Sequence, residues 1–526
     1  MIKHFPEGKI PRENQKEALG LIEESLKLPK KFTVVRAPTG SGKSAIVATL
    51  VNFFSSTLNS SSYTVLSRKF LQTQYIEDFD SFTNFWGKSN YTCPIINASC
   101  SGCPADQLPG DGYRGFLKIN CTGSKLGDKC PYISAKREAS VKSNSLMNLE
   151  AFLSNPWGNR DIMIFDEAHI LSDRMVSYYS LDLMLEILTM KKASELFKKA
   201  EGSRLSSSSE VISEILSIYT ERLLELEEDG LTVPPELNRS LDLLKNPNLE
   251  WVIDTSNYSL VPVKPSKLLR DFLFSYANKV VLLSGTLSPN LLMEMGITNR
   301  NCTFIDMQST FPSENHSIKY FPSMGSLNMK NLEKGLVKAC VLIMDILSKQ
   351  SGRGVIHSTS YKIVKHLRMW FEGPDVTEEG KKLSSRLLFH DSAKDLEKLL
   401  TEYKNTEGAV LVSPSLTEGF DGAGKLLEFQ VLVKAPYPSL GDPRMAQYTK
   451  SEFGNILFQE RAICTIIQTL GRGIRSPEDV CTSYVLDSNI AKLLRKGNTD
   501  SRFKKAVPNY MMEVWSNRDI VLDQES

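Results

Sequence analysis

The sequence predicts an α/β protein with parallel sheets, because short buried strands alternate with helical patterns in two successive series along the chain. A glycine-rich phosphate-binding loop joins the first predicted strand to its helix, as in nucleotide-binding α/β folds. Two segments of different character interrupt the alternation, a cysteine-rich one near residues 85–130 and a long helical pattern over 173–248. The chain of 526 residues is long enough for about three or four domains.

The composition is that of a globular protein, and it argues against a strongly basic, a membrane-spanning or a secreted protein. Hydrophobic residues make up 41% and charged residues 24%, and the formal net charge is only +2, so any nucleic-acid site must be a local patch. No apolar run is long enough to span a bilayer, and residues 1–6 lack the apolar core of a signal peptide. We therefore expect no membrane association and a reducing compartment: cytoplasmic, nucleoid-associated in a bacterium or phage, or nuclear in a eukaryote.

The strongest motif is the loop APTGSGKS at residues 37–44, which follows the strand-like run FTVV and leads into the helical run AIVATL. Its predicted nucleotide contacts are Thr39, Gly40, Ser41, Gly42, Lys43 and Ser44. The glycines let backbone N–H groups close around phosphates, Lys43 reaches the β and γ phosphates, and Ser44 offers its hydroxyl to Mg²⁺. The expected ligand is a nucleoside triphosphate, although Ala37 replaces the usual first glycine.

Two segments that flank this loop carry weaker signals of nucleotide or nucleic-acid binding. Upstream, Gln15 starts a helical pattern, and its amide could pair with an adenine edge or be an ordinary solvated residue at a helix start. Downstream, the predicted strand at residues 63–67 leads into a helix at 69–75, a junction that can bind the phosphates of a nucleic-acid strand.

Five of the nine cysteines fall within one short segment, which in a reducing compartment favours a metal site over disulfides. They are Cys93, Cys100, Cys103, Cys121 and Cys130. The C-x-x-C pair at 100–103 suits two ligands of one metal, and we add Cys93 and Cys130, with Cys121 as the alternative ligand. Zinc and an iron–sulfur cluster fit this spacing equally well, and buried free thiols are a third reading.

Cations and aromatic residues are interleaved with these cysteines, a pattern that suits single-stranded nucleic acid because cations track phosphates and aromatic rings stack on bases. The cations are Arg114, Lys118, Lys125, Lys129, Lys136, Arg137 and Lys142, and the aromatic residues are Trp86, Tyr91, Tyr113, Phe116 and Tyr132. The alternative is an ordinary solvated surface over a small core.

The second strong motif is DIMIFDEAH at residues 161–169, an apolar strand that brings Asp166 and Glu167 to its carboxyl end. In parallel α/β sheets that edge carries the ligand site. We expect Asp166 to hold Mg²⁺, through water, and Glu167 to orient and polarise the attacking water.

The chain beyond the DEAH motif is predicted to be mainly helical from residue 173 to 248, with runs at 181–188 and 211–216 separated by a serine loop at 206–209. We assign this insertion no catalytic residue. A strand at 279–283 then ends in SGTL at 284–287, whose hydroxyls either sense the nucleotide or merely cap the strand.

The second series contains predicted strands at 354–357, 409–413 and 429–433. In the final motif, residues 466–475, a single helix would place Gln468, Arg472 and Arg475 on one face. Opposite a P-loop of another domain, these side chains could neutralise charge that develops on the γ phosphate. The alternative is surface arginines paired with carboxylates.

Taken together, the order of these motifs resembles the superfamily 2 helicases, and the cysteine insertion before the DEAH box narrows the resemblance to the XPD/DinG iron–sulfur family. The resemblance implies two RecA-like motor domains, the first over residues 1–84, 131–172 and 251–290 and the second over 291–526. It also implies an iron–sulfur domain at 85–130 and a helical arch domain at 173–250. Gly285 departs from the Ala that many superfamily 2 helicases carry, a change that we expect to be mild, and no added nuclease domain is recognisable.

The same resemblance implies ATP, Mg²⁺ and a 4Fe-4S cluster as cofactors, and adds Asp421, in the segment EGFD, to the nucleotide contacts. The implied activity is ATP-driven 5′ to 3′ translocation on single-stranded DNA, with unwinding of forked or tailed duplexes by a monomer. Two alternatives stay open. One is an ATP-switched binding or remodelling factor without processive unwinding, and the other is a zinc-stapled RNA helicase.

Overall fold

The computed structural model describes residues 1–58, 60–94, 97–103, 130–200, 202–374, 376–392, 396–414 and 424–522. Across them the chain forms two seven-stranded parallel sheets, each flanked by helices, and this confirms the predicted α/β class. We call the parts built around these sheets the first and the second domain.

The first sheet has the P-loop strand near one edge and the DEAH strand at its centre. Its strands, in spatial order, are Cys302–Asp306, Phe32–Arg36, Ala277–Ser284, Arg160–Asp166, Ser62–Leu66, Asn144–Asn148 and Thr83–Phe85. The helices that accompany it are Glu13–Lys27, Lys43–Leu58, Lys69–Asp78, Pro131–Val141, Leu149–Ser154, Leu171–Tyr179, Pro265–Phe272 and Pro289–Glu294. Every residue of the strands Phe32–Arg36 and Ser62–Leu66 is buried, because helices cover both faces of a parallel sheet.

The second sheet repeats this design. Its strands, in spatial order, are Leu387–Phe389, Val410–Ser413, Gly354–His357, Phe429–Leu432, Cys481–Val485, His316–Tyr320 and Asp519–Ile520. Its helices are Leu332–Lys349, Tyr361–Phe371, Glu378–Ser384, Leu396–Asn405, Pro443–Tyr448, Glu452–Leu470, Ser488–Thr499 and Asn509–Ser516. Within the described part of the chain, no helix is long and apolar enough to cross a bilayer.

The predicted domain boundaries need two corrections. Strand Cys302–Asp306 pairs in parallel with Phe32–Arg36, so the first domain extends past the predicted end at residue 290. The strands Glu250–Asp254 and Ser259–Pro262 pair with Leu181–Asp182 and Ser206 of the insertion, so residues 251–262 belong with the insertion. Both errors arise because strand pairing joins segments that are distant in sequence.

The insertion contains a small antiparallel sheet besides its helices Met190–Ala200, Glu210–Glu228 and Pro235–Lys245. The predicted helix at 181–188 is wrong, since Leu181–Asp182 is an edge strand of this sheet and turns follow it. The apolar run there packs against the first domain, with Leu181 and Leu188 in the same core as Phe165.

A buried carboxyl lies where the two domains meet. Glu460, on the helix Glu452–Leu470, accepts hydrogen bonds from Ser288 Oγ and Asn290 Nδ2 of the first domain. Burial raises the pKa of Glu460 to about 7 from its ordinary value of 4.5. Arg461, the next residue, forms an ion pair with Glu294 at 2.7 Å, also across the interface.

We therefore expect the stability of this interface to fall as the pH rises. The folded protein keeps the Glu460 proton that the unfolded chain releases above its ordinary pKa, so the stabilisation present at low pH is lost as the pH rises to about 7. The loss should reach about 3 kcal/mol between pH 5 and 8. Urea unfolding of the wild type and of Glu460→Gln at both pH values measures it. Identical pH dependence in the two proteins would contradict the assignment.

Candidate nucleotide site and cysteine cluster

The P-loop has the conformation that its glycines predict. Gly40 and Gly42 have φ angles of +75° and +76°, a region that favours glycine, and the following helix begins at Lys43. A Cβ on Gly42 would lie 2.3 Å from Gln15 Nε2, so a side chain there would also have to displace the Gln15 amide. The loop therefore presents its backbone and Lys43 at the carboxyl end of the first sheet.

Gln15 is buried against the P-loop and is not a solvated helix-start residue, with 4% of its surface exposed. Its Nε2 donates to the carbonyl of Ser41 at 3.0 Å, and its Oε1 accepts from the backbone N–H of Arg12 at 2.8 Å. Arg12 Nη1 in turn donates to the carbonyl of Gly40 at 2.8 Å. Both residues brace the loop, a role for Arg12 that the sequence did not reveal; an adenine contact by Gln15 stays a prediction.

The structure brings Lys43 and Glu167 together. Glu167 follows the strand Arg160–Asp166 with φ +55°, an uncommon left-handed conformation that turns its side chain toward the P-loop. Its Oε1 lies 3.4 Å from Lys43 Nζ, and its Oε2 lies 3.3 Å from His169 Nδ1. Burial alone would raise the pKa of Glu167, but the positive charge of Lys43 and the hydrogen bond from His169 outweigh it and hold that pKa well below its ordinary value. Glu167 is thus an ionised carboxylate, as a water-polarising group requires.

Asp166 is almost completely buried, with 5% of its surface exposed, and both of its oxygens have partners. Oδ1 accepts the backbone N–H of Glu167 at 2.9 Å, and Oδ2 accepts the hydroxyl of Tyr75 at 2.8 Å. Burial and the charge of Glu167 raise the pKa of Asp166. Ser44 lies near the Tyr75 hydroxyl, so both predicted Mg²⁺ ligands, Ser44 and Asp166, lie beside the same side chain. Their oxygen donors fit Mg²⁺, which prefers such ligands.

Gln468 reaches from the second domain to the DEAH motif. Its Nε2 lies 2.6 Å from His169 Nε2 and 3.3 Å from Thr286 Oγ1. His169 Nδ1 lies 2.9 Å from Ser284 Oγ, so the ring of His169 contacts a hydroxyl of the first domain and the amide of Gln468 from the second. The SGTL hydroxyls therefore connect the DEAH motif with the second domain. Their role in sensing the nucleotide stays a prediction.

The predicted arginine face is wrong in one respect, because the helix ends at Leu470, before Arg472 and Arg475. The chain turns at Gly471 and no longer follows a helical face. The segment nevertheless packs on the P-loop, since a Cβ on Gly40 would lie 2.9 Å from the backbone of Arg475. Asp479 fixes the segment by accepting the backbone N–H of Arg475 at 2.7 Å. The arginine roles in catalysis stay predictions.

Several predicted residues lie outside the described part of the chain. These are Asp421 with the rest of its EGFD segment, Cys121, and the cations and aromatic residues at positions 113–129. Their roles stay predictions.

Four of the five clustered cysteines, Cys93, Cys100, Cys103 and Cys130, lie in the described part of the chain. Cys93 ends one strand of a short antiparallel pair, and the buried Cys100 begins the turn that follows the other strand. Cys130 directly precedes the helix Pro131–Val141. Burial raises the pKa of Cys100 to about 11, and the charges of Cys130, Cys93 and Cys103 add to the effect in that order. The donor set fits a four-thiolate site in its chemistry, although in the described ranges no three His, Cys, Asp or Glu side chains have closed around a metal position.

Comparison with known proteins gives two family matches and several similar structures. The model for the helicase C-terminal domain matches residues 343–510, and that for the type III restriction enzyme res subunit matches residues 9–202. No curated protein matches the sequence.

Among solved structures, an XPD helicase is 16% identical with a TM-score of 0.61, over 98% of this chain and all of that one. Xpd4 of S. tokodaii is 17% identical with a TM-score of 0.57 and the same coverage. An XPD protein in its apo form is 15% identical with a TM-score of 0.54, over 97% of this chain and all of that one. At these identities the likeness establishes a shared fold along nearly the whole chain.

Proposed function

We propose that this chain is a superfamily 2 helicase of the XPD/DinG type that hydrolyses ATP to translocate 5′ to 3′ on single-stranded DNA and to unwind duplex DNA. The observation that carries the proposal is the meeting of Lys43, Glu167 and Gln468 at one site between two α/β domains. A motor needs this arrangement because bound ATP must contact residues of both domains for its hydrolysis to move one domain relative to the other.

In the proposed reaction, the P-loop backbone and Lys43 hold the β and γ phosphates, and Ser44 and Asp166 hold Mg²⁺. When bound, Mg²⁺ would neutralise part of the phosphate charge. Glu167, kept ionised by Lys43 and His169, orients the attacking water. Arg472 and Arg475 neutralise the charge that develops on the γ phosphate, and the packing of the Arg475 backbone against Gly40 of the P-loop supports this role.

Hydrolysis is coupled to movement through the contacts between the domains. Loss of the γ phosphate removes the negative charge that draws the arginine segment toward the P-loop, so the cleft opens and the strand advances. Opening duplex DNA costs on the order of 1.4 kcal/mol per base-pair step, so a fuel cycle is required for continuous unwinding. The cysteine-rich insertion acts as the wedge that separates the strands.

We propose further that Cys93, Cys100, Cys103 and Cys130 hold a 4Fe-4S cluster. The electrostatic influence of three thiols on Cys100 supports it, and the cluster would hold together a segment with little regular structure of its own. Anaerobic purification should give a brown protein with about four iron atoms per chain and the broad visible absorption of an iron–sulfur centre.

Cys100→Ser should lose this colour and its iron, whereas the matched control Cys340→Ser, at a buried cysteine of the second domain, should keep both. Zinc in place of iron, together with ATPase activity stimulated by RNA and not DNA, would favour the zinc-stapled RNA helicase. A remodelling factor would hydrolyse ATP on DNA without separating strands.

A further inference from the structure

Tyr75 is a buried side chain at the proposed magnesium site that no recognised motif accounts for. It lies on the helix Lys69–Asp78, which we call the tyrosine helix, and only 1% of its surface is exposed. Its hydroxyl donates to Asp166 Oδ2 at 2.8 Å, and Ser44 lies near it. The hydroxyl thus binds one predicted Mg²⁺ ligand and lies beside the other, and these two ligands come from two other elements of the fold.

The tyrosine helix is itself fixed by a second buried side chain. Gln72 is fully buried, and its Nε2 donates to Asn84 Oδ1 and to the carbonyls of Phe85, at 2.9 Å, and Leu146. Phe85 belongs to the edge strand from which the cysteine segment departs. The position of Tyr75 is therefore held by hydrogen bonds to two strands of the first sheet.

The aromatic ring of Tyr75 packs against two other aromatic rings, and these contacts do not involve its hydroxyl. Its centroid lies 5.9 Å from that of Phe79 and 5.5 Å from that of Phe82. Removing the oxygen alone should leave this packing in place, so the ring and the hydroxyl can be tested separately.

An ordinary buried tyrosine in the same domain shows the difference. Tyr63 is equally buried, but its hydroxyl donates to the backbone carbonyl of Gly158 at 3.0 Å, far from any predicted ligand. The Tyr75 hydroxyl instead meets a carboxylate whose other oxygen is already taken by the backbone N–H of Glu167. Together these two donors fix the orientation of Asp166.

We propose that Tyr75 is a positioning residue for Mg²⁺, holding Asp166 in register with Ser44. The proposal rests on the proposed function, because it assumes that the P-loop binds a nucleotide with magnesium. Partners of metal ligands that fix ligand orientation typically change metal affinity by about 10- to 100-fold when they are removed. Tyr75→Phe removes only the oxygen that makes the contact.

The test measures binding of a fluorescent ADP derivative to the full-length protein while Mg²⁺ is titrated. For Tyr75→Phe we expect the Mg²⁺ midpoint to rise by about 10- to 100-fold, with ADP affinity in the absence of Mg²⁺ unchanged. Tyr63→Phe should keep the wild-type midpoint. A midpoint for Tyr75→Phe within twofold of the wild type would overturn the proposal.

Tyr75→Phe could fail to fold because the buried carboxylate of Asp166 would lose the hydrogen bond from the Tyr75 hydroxyl, and a double variant tests the proposal in that event. Asp166→Asn removes that charge, so in its background Tyr75→Phe should cause no additional change in the Mg²⁺ response. A further shift there would show that Tyr75 does not act through Asp166 and would overturn the proposal. If nucleotide binding by the wild type does not respond to Mg²⁺, the proposed function itself fails, which is a distinct result.

Discussion

Lys43→Ala should abolish strand displacement and lower the rate of ATP hydrolysis by at least about 100-fold, while binding to single-stranded DNA persists. The ammonium group lies at the end of the P-loop, 3.4 Å from Glu167, where it would face the transferred phosphate. Its loss removes charge stabilisation from the transition state and a partner from Glu167. The DNA path, in contrast, needs no contact with Lys43.

Steady-state ATPase assays and fluorescence anisotropy with a labelled single strand measure the two effects. Lys349→Ala is the matched control, because this lysine is exposed and pairs only with Asp345 on the same helix. It should behave as the wild type does. Retained unwinding by Lys43→Ala would overturn the assignment of the P-loop as the motor's nucleotide site.

Glu167→Gln should hydrolyse ATP about 10²- to 10⁴-fold more slowly and yet bind it at least as tightly as the wild type. The amide keeps the size of the side chain and its reach to His169, but it cannot polarise water as the ionised carboxylate does. The protein should therefore accumulate with ATP bound. This separates the variant from Lys43→Ala, which weakens binding as well.

Single-turnover hydrolysis and nucleotide affinity, measured on the same preparation, give the two quantities. Glu225→Gln is a suitable control, since that carboxylate pairs with Arg222 on an exposed helix of the insertion. If Glu167→Gln turned over at the wild-type rate, another residue would have to position the water.

Local sequence signals predicted the local structure of the proposed nucleotide site well. The P-loop and the DEAH strand are each defined by a few consecutive residues, and the burial of both strands follows from their apolar runs. The meeting of Lys43 and Glu167 was also predictable, because parallel strands bring their carboxyl ends to one edge of the sheet.

The sequence did not predict features that depend on contacts between residues far apart along the chain. The tertiary fold buries Gln15 against the P-loop, and no spacing rule separates that arrangement from a solvated residue. Tyr75 lies in a helix whose sequence carries no phosphate or metal motif, so only the fold reveals its contact with Asp166. The end of the helix at Leu470 was the exception, because Gly471 and Gly473 are a local signal for helix termination.

The central claim is that this protein converts ATP hydrolysis into directional unwinding of DNA. The most direct measurement is strand displacement by the anaerobically purified protein on duplexes with a 5′ or a 3′ single-stranded tail, in the presence of ATP and Mg²⁺. We predict displacement from the 5′-tailed duplex and none from the 3′-tailed one. Displacement from the 3′-tailed duplex alone, or ATP hydrolysis with neither duplex opened, would contradict the claim.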